Sequence, residues 1–237
     1  MGARIAKSPS TEGSEALDEV VYRISHDLRA SVRALRELPD WLREDLGSSN
    51  VQLDDEASDI LDLIQSHSRR LDEMLNGLLE YSRVGRLQEL VEVQPRDVFS
   101  DILAETGVPA DTEIASQFNP VDIRIGRNDI ARVFRILLVN AIRHGRGAPA
   151  KIEVTSCQSG RYWELLVSDN GPGIAAKDKA EVVKPMVKLK SRDEDEGGGM
   201  GLAILTKIAE VYDGTLHIED RKRLGGVTFR LRLPVVV

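Results

Sequence analysis

The sequence predicts two kinds of structure in one chain, an all-α helical hairpin followed by an α+β sandwich. Three observations lead there. Two long apolar stripes at helical spacing fill the first third, short strand-like runs alternate with helical stretches after it, and glycine-rich turns fall where those strands end or helices begin. At 237 residues the chain is long enough for two domains that each bury a core.

A Ser/Gly-rich start, residues 1–13, reads as disordered. Beyond it, apolar residues recur at Leu17, Val20, Val21, Ile24, Leu28, Val32, Leu35, Leu38 and Leu42, the spacing of one helix face. A second stripe runs through Ala57, Ile60, Leu61, Ile64, Leu71, Met74, Leu75, Leu78 and Leu79, and the turn-rich GSSN at 47–50 separates the two. Two antiparallel helices of roughly 40 Å follow, at about 1.5 Å per residue. Two helices alone cannot cover both stripes, so the hairpin, residues 14–86, is expected to pair with a second copy as a four-helix bundle.

His26 sits two residues from both Ile24 and Leu28, which turns it away from the stripe and toward solvent. Arg23, Arg29 and Arg33, three or seven residues away, share its face and make it electropositive. That suits a group that meets a phosphoryl donor, and it equally describes an ordinary surface histidine on a charged helix. His67, His144 and His217 have no ligand-like spacing to it, so a metal site there is not indicated.

After a linker at 82–90, the pattern from about Val91 changes to strands at VDIRI (121–125), KIEVTS (151–156), WELLVSD (163–169), TLHIED (215–220) and VTFRLRL (227–233). Helical stretches at 128–144 and 201–212 lie between them, giving a second domain over 91–237. Three of its features carry chemistry. In VSDNGPGI a strand ends at Asp169, whose carboxylate could accept a hydrogen bond from an adenine amino group, and Gly171 and Gly173 let the backbone pass close to a ligand. In EGGGMGLAI, Gly197, Gly198, Gly199 and Gly201 run into a helix beginning near Leu202, whose free N–H groups could meet phosphate. In RILLVNAIRHG, Asn140 has an amide oxygen fit for Mg²⁺, with Arg143 and His144 one turn later on the same side. Taken singly, each has a plain structural alternative: a turn, a flexible loop, a satisfied buried amide. Their order and spacing together favour a site for ATP.

With these residues in view, the chain from about Leu17 to Pro234 resembles the histidine kinases of bacterial two-component systems. SHDLRASVRAL at 25–35 resembles the phospho-acceptor box, LLVNAIRHG at 137–145 the asparagine box, and VSDNGPGI at 167–174 and GGGMGLAI at 197–204 the two glycine boxes. The stretch at 182–204 is similar to the nucleotide lid of the phytochrome-like subgroup. The resemblance implies a dimerisation and phosphotransfer hairpin followed by the ATP-binding sandwich shared with gyrase. It implies a homodimer that binds ATP and Mg²⁺, autophosphorylates on His26 and passes the phosphoryl group to an aspartate of a response-regulator receiver domain. By the same carry-over Asp27 is the general base or orienting partner, Asn140 the Mg²⁺ ligand, Arg143 a phosphate contact with His144 beside it, and Asp169 the adenine reader with Gly171 and Gly173 shaping its pocket. Lys188, Gly197, Gly199, Gly201 and Leu202 fall in the lid and its hinge.

Several positions depart from that pattern. Ser31 replaces a helix-kinking proline, while Pro39 supplies a break further along. Ala30 stands where phosphatase-competent members often carry Thr or Asn, which predicts weak phosphatase activity. Val183 and Met186 replace lid phenylalanines and leave less aromatic area to pack a closed lid. Ile136, one turn before Asn140, replaces the glutamate by which gyrase-like ATPases activate water, so transfer is favoured over hydrolysis. The alternative is a phosphotransfer or ATP-sensing scaffold with a weak or inactive ATP domain.

The remaining bulk properties narrow the partners. A net charge of −7 with both signs interspersed offers no basic surface for nucleic acid or anionic lipid. Cys157 is the single cysteine, which rules out an internal disulfide or a cysteine-built metal site and suits a reducing compartment. No run approaches the roughly 20 apolar residues of a membrane span, and the start lacks the apolar middle of a signal peptide. The expectation is a cytoplasmic chain; if the natural protein has a sensor region, it lies outside this sequence or in another chain.

Overall fold

The computed structural model describes residues 9–49, 51–86, 88–145, 149–189, 198–221 and 225–235, the side chains of 9–19, 21 and 26 excepted. These residues form two compact units, one reaching to Ser82 and including 198–200, the other running from Arg83 to Leu189 and from Gly201 onward.

The first unit is the expected helical hairpin, α1 (Pro9–Ser48) and α2 (Asp55–Arg83). α1 already takes in residues 9–13, which composition assigned to a disordered start. Pro9 suits a first helical position, where a missing N–H removes nothing the helix would use. Asp54 caps α2, its Oδ1 accepting from the Ala57 N–H at 2.8 Å, and Asp55 and Glu56 complement the positive end of the helix. Val32, Leu61, Leu75 and Leu79 are buried.

α1 continues through Pro39 rather than breaking there. The proline is buried, and bonds to α2 hold the turn around it: Arg43 reaches Asp62 at 2.7 Å and Gln65 at 3.3 Å, while Gln65 Nε2 donates to Asp40. These contacts offset the lost backbone hydrogen bond and ring clash, which cost about 3 kcal/mol in an isolated helix. Residues 198–200, expected in the second domain, group with this unit. Gly198 lies so near the α2 backbone that an added Cβ would stand 3.0 Å from Glu73, and Met200 occupies the space a Cβ on Gly77 would need.

The second unit comprises β1 (Leu90–Val93), α3 (Pro95–Glu105), β2 (Glu113–Phe118), β3 (Ile123–Gly126), α4 (Arg127–Arg143), β4 (Lys151–Ser159), β5 (Tyr162–Ser168), α5 (Gly201–Val211), β6 (Thr215–Asp220) and β7 (Val227–Pro234). Its main sheet has the order β2-β4-β5-β7-β6, with β2 parallel to β4 and the other pairs antiparallel. β1 and β3 form a separate antiparallel pair, so the run expected as a strand at 121–125 belongs to a small second sheet. α3, β1 and β2 have no counterpart among the elements the sequence suggested.

Register explains why the sheet packs on one side. Trp163, Leu165 and Val167 of β5 pair with Leu233, Leu231 and Phe229 of β7, and all six are buried. The alternate positions pair Glu164 with Arg232 and Ser168 with Thr228, and Arg230 bonds Glu164 and Glu219. One face is therefore apolar and the other polar, as a period of two requires. α4 contacts β4, α5 contacts β6 and β7, and α3 lies on α4. Phe99 of α3, Phe118 of β2 and Phe134 of α4 stack at 5.1 to 6.2 Å between ring centres. No helix among the described residues is long and apolar enough to cross a membrane.

Candidate nucleotide and phosphoacceptor sites

In the second unit, the end of β5 and the start of β7 make a tight corner around Asp169, which is 5% exposed. Its backbone N–H donates to the Val227 carbonyl at 3.0 Å, and its Oδ1 accepts from the N–H of Gly171 at 2.8 Å and of Val227 at 3.3 Å. Burial pushes its pKa above the ordinary carboxylate value, while those two backbone donors, His144 and Arg221 pull it back down.

The corner can close only with glycine. A Cβ on Gly171 would stand 2.8 Å from the His144 carbonyl oxygen, and one on Gly226 would overlap the Asp169 backbone. Gly173 has φ +75°, a left-handed conformation that a side chain disfavours. Asn170 pins the loop, accepting from the Lys151 N–H at 2.9 Å and donating to the Pro149 carbonyl at 3.2 Å. Below Asp169, the hydroxyls of Ser168 and Thr228 are 2.8 Å apart.

α4 links this corner to a second feature one turn away. His144 caps the helix, its N–H donating to the Asn140 carbonyl at 3.0 Å. Asn140 is half-buried and faces the first residue of α5: a Cβ on Gly201 would lie 3.8 Å from Asn140 Nδ2 and 3.0 Å from Ile136 Cγ2. The amide thus meets the amino end of an 11-residue helix with no acidic residue in its first turn, where unpaired N–H groups favour an anion. Ile136 presents only hydrocarbon at that point.

The structure therefore brings Asn140, His144, Asp169, Gly171 and Gly201 together around one end of α4. Gly173 lies on the far side of the same loop, near Gly225 and Gly226. Leu202 is the second residue of α5 and half-buried; Arg143 is exposed on the last turn of α4; Lys188 is half-buried in the stretch leading to 190–197. Gly199, at φ +68°, falls with the first unit, and Gly197 lies outside the described residues. Gly226 and Asn170 are contributors that motif reading missed. The Gly-Gly pair immediately before VTFRLRL is the sequence signal for the first.

In the first unit, His26 lies in α1, its side chain outside the described set, so its expected orientation stands as an expectation. Among its neighbours Arg23, Asp27, Ala30 and Arg33 are exposed, Arg29 is half-buried, and Ser25 and Val32 are buried, while Ile24 and Leu28 of the expected stripe are exposed in the single chain. The basic flank extends further than anticipated. Arg29, Arg33 and Arg36 line a cleft with Asp72 and Asn76, in which Arg29 Nη2 donates to Asn76 Oδ1 at 3.2 Å and Arg36 stands 3.7 Å from Asp72.

Comparison with known proteins agrees with both units. Residues 16–87 match the family described as His Kinase A (phospho-acceptor) domain, and residues 126–237 that described as Histidine kinase-, DNA gyrase B-, and HSP90-like ATPase. The sensor protein RstB of Escherichia coli K12 is 30% identical over 245 residues, covering 94% of this chain and 55% of RstB. Cyanobacterial phytochrome B of Nostoc sp. PCC 7120 is 30% identical over 218 residues, covering 87% of this chain and 28% of the phytochrome. Among solved structures, full-length ShkA in complex with AMPPNP superposes with a TM-score of 0.60 at 20% identity, covering 93% of this chain and 46% of that one, a likeness of fold. The chain holds the two parts of a sensor histidine kinase core, a phospho-acceptor hairpin followed by the ATPase domain. It spans about half of RstB and a smaller share of the phytochrome.

Proposed function

We propose that this chain binds MgATP in its second unit, transfers the γ-phosphoryl group to His26, and then passes it to an aspartate of a response-regulator receiver domain. The observation that carries the reading is the meeting of Asn140 with the amino end of α5 over Gly201, one turn of α4 from the Asp169 corner. An amide, a helix amino terminus and a buried carboxylate in that order suit metal, phosphate and adenine in turn. In the transfer, an imidazole nitrogen of His26 forms a bond to the γ-phosphorus, the bond to the bridging oxygen breaks, and ADP leaves. Asp27 orients the ring or takes its proton.

Mg²⁺, held by Asn140 and the phosphates, would neutralise charge on the transferring group. Among the described residues no cluster of three or more His, Cys, Asp or Glu could hold a metal without such help. Asp169 accepts from the adenine amino group, Arg143 contacts phosphate, and His144 shapes the corner between them. Ile136 offers no base to a water, which supports transfer over hydrolysis.

The active form in this reading is a homodimer. Ile24, Leu28, Leu35 and Leu42 on α1 and Ile60, Ile64 and Leu71 on α2 are all exposed in the single chain, a stripe that a second copy would cover. Placement in the phytochrome-like subgroup rests on the 182–204 stretch alone. Ala30 gives the proposal a further outcome: phosphorylated receiver should lose its label slowly in the presence of this chain, and rapid ADP-independent loss would contradict it.

Incubation of the purified chain with γ-labelled ATP and Mg²⁺ tests the reading. Acid-labile label should appear, and it should be absent from His26→Gln and Asn140→Asp. Nucleotide binding without label would point to an ATP-sensing scaffold instead.

A further inference from the structure

The segment between α2 and β1, at the start of the second unit, is short and contains glycine, a composition expected of a slack tether. In the structure it is fastened. Val84 is 3% exposed, and the Gly85 N–H donates to Asp129 Oδ2 at 2.8 Å. Three residues on, Gln88 Oε1 accepts from the Asn128 N–H at 3.0 Å and so caps α4, whose own N-cap residue, Gly126, has no side chain to do it. Gly85 has φ +71°, and a Cβ there would stand 2.5 Å from Val211 Cγ1 on α5. A Cβ on Gly126 would overlap the Gln88 side chain.

Asp129 is fully buried and is the centre of this arrangement. Arg132 Nη1 binds its Oδ1 at 2.6 Å, and the Tyr212 hydroxyl donates to its Oδ2 at 2.8 Å while accepting from the Gly126 N–H at 3.1 Å. Burial and the carboxylate raise the Tyr212 pKa further above neutrality, in keeping with a phenol that donates to Asp129. A buried carboxylate is costly to retain and contributes little net stability even when paired. Asp129 lies eleven residues before Asn140 on the same helix, about 16 Å at the helical rise, too far to touch what Asn140 holds.

We infer that Asp129, with Tyr212 and Gln88, is a positioning latch that fixes the linker to the amino end of the helix bearing Asn140. Movement of α2 then passes into α4 through hydrogen bonds. The inference rests on the proposed autophosphorylation, in which the ATP domain must be presented to His26 in a defined way. It assigns these residues to presentation, and leaves nucleotide binding to the opposite end of α4.

The full-length chain tests this in three measurements: hydrogen exchange at the Gly85 amide, equilibrium affinity for a fluorescent ATP analogue, and the initial rate of His26 labelling at saturating MgATP. Tyr212→Phe keeps the ring and removes the hydroxyl, and Asp129→Asn removes the charge. Asp129→Asn should accelerate Gly85 exchange by about tenfold or more, because its N–H no longer meets a charged acceptor, and Tyr212→Phe should accelerate it in the same direction by releasing the carboxylate that the hydroxyl holds in place. Analogue affinity should stay within about twofold while labelling slows severalfold, a change in rate without a change in binding. Should Asp129→Asn fail to fold, Tyr212→Phe still decides. Gly85 remaining protected in a folded variant overturns the latch. So does Gly85 freed with labelling unchanged, or affinity and labelling falling in parallel as simple destabilisation would produce. A wild-type chain that binds the analogue yet never labels His26 would instead defeat the proposed function and remove the latch's purpose with it.

Discussion

Asp169 combines two opposing demands, since burial favours its protonated form while an adenine amino group requires an acceptor. Its folded pKa lies above the unfolded one. Stability from this residue therefore falls as pH rises from the ordinary carboxylate range, about 4, through the raised value. Nucleotide affinity runs the other way: on acidification it should weaken at a pH above that ordinary range, as the carboxylate takes up its proton. Titrating ADP binding against pH in the wild type and in Asp169→Asn checks this. The variant should bind roughly tenfold or more weakly, as expected for loss of a charge-assisted bond, and should show a flat profile over the same range. Asp169 was legible in sequence because a strand ended there and DNGPG followed. Gly226 was not, because the atoms that forbid its Cβ belong to a residue far away in the chain. His26 falls on a helix as its spacing suggested, and the proposed reaction partner could be read only through the motifs downstream.

At the scale of elements, the two glycine kinds separate cleanly. Gly226→Ala forces a side-chain carbon onto the Asp169 backbone, so the start of β7 must shift; a loss of about 2 kcal/mol or more is expected, together with nucleotide binding. Gly47 stands in the last turn of α1 with open space around it, and Gly47→Ala should stabilise by about 0.5 to 1 kcal/mol. Thermal unfolding of both variants, with ADP binding alongside, distinguishes them; equal effects would contradict the close approach at Gly226. The long helices were legible because their stripes persist over many turns. β2 was not: EIASQF is largely polar and exposed, and its place is set by parallel pairing with β4. α3 is short, and its buried Val98, Phe99 and Ile102 acquire meaning only beside Phe134. Pro39 misled in the opposite direction, since a local breaking signal yielded to burial and to bonds with α2.

At the scale of the molecule, the hairpin carries more exposed apolar surface than a lone pair of helices would ordinarily tolerate. Leu35→Glu, alone or with Ile64→Glu, should shift the full chain from dimer toward monomer in sedimentation velocity while leaving ADP affinity unchanged; an unaltered dimer would place the interface elsewhere. In the proposed function the two units act together: a phosphoryl group bound through Asn140 and the amino end of α5 is delivered to His26 rather than to water. The most direct measurement is phosphosite mapping of the full chain at neutral pH after MgATP, by fragmentation that preserves phosphoramidates, with released inorganic phosphate measured in parallel. Phosphate is expected on His26, removed by His26→Gln, with protein-bound phosphate formed faster than free phosphate in the first turnover. Phosphate released without modification of the chain, or attached at another residue, would contradict it.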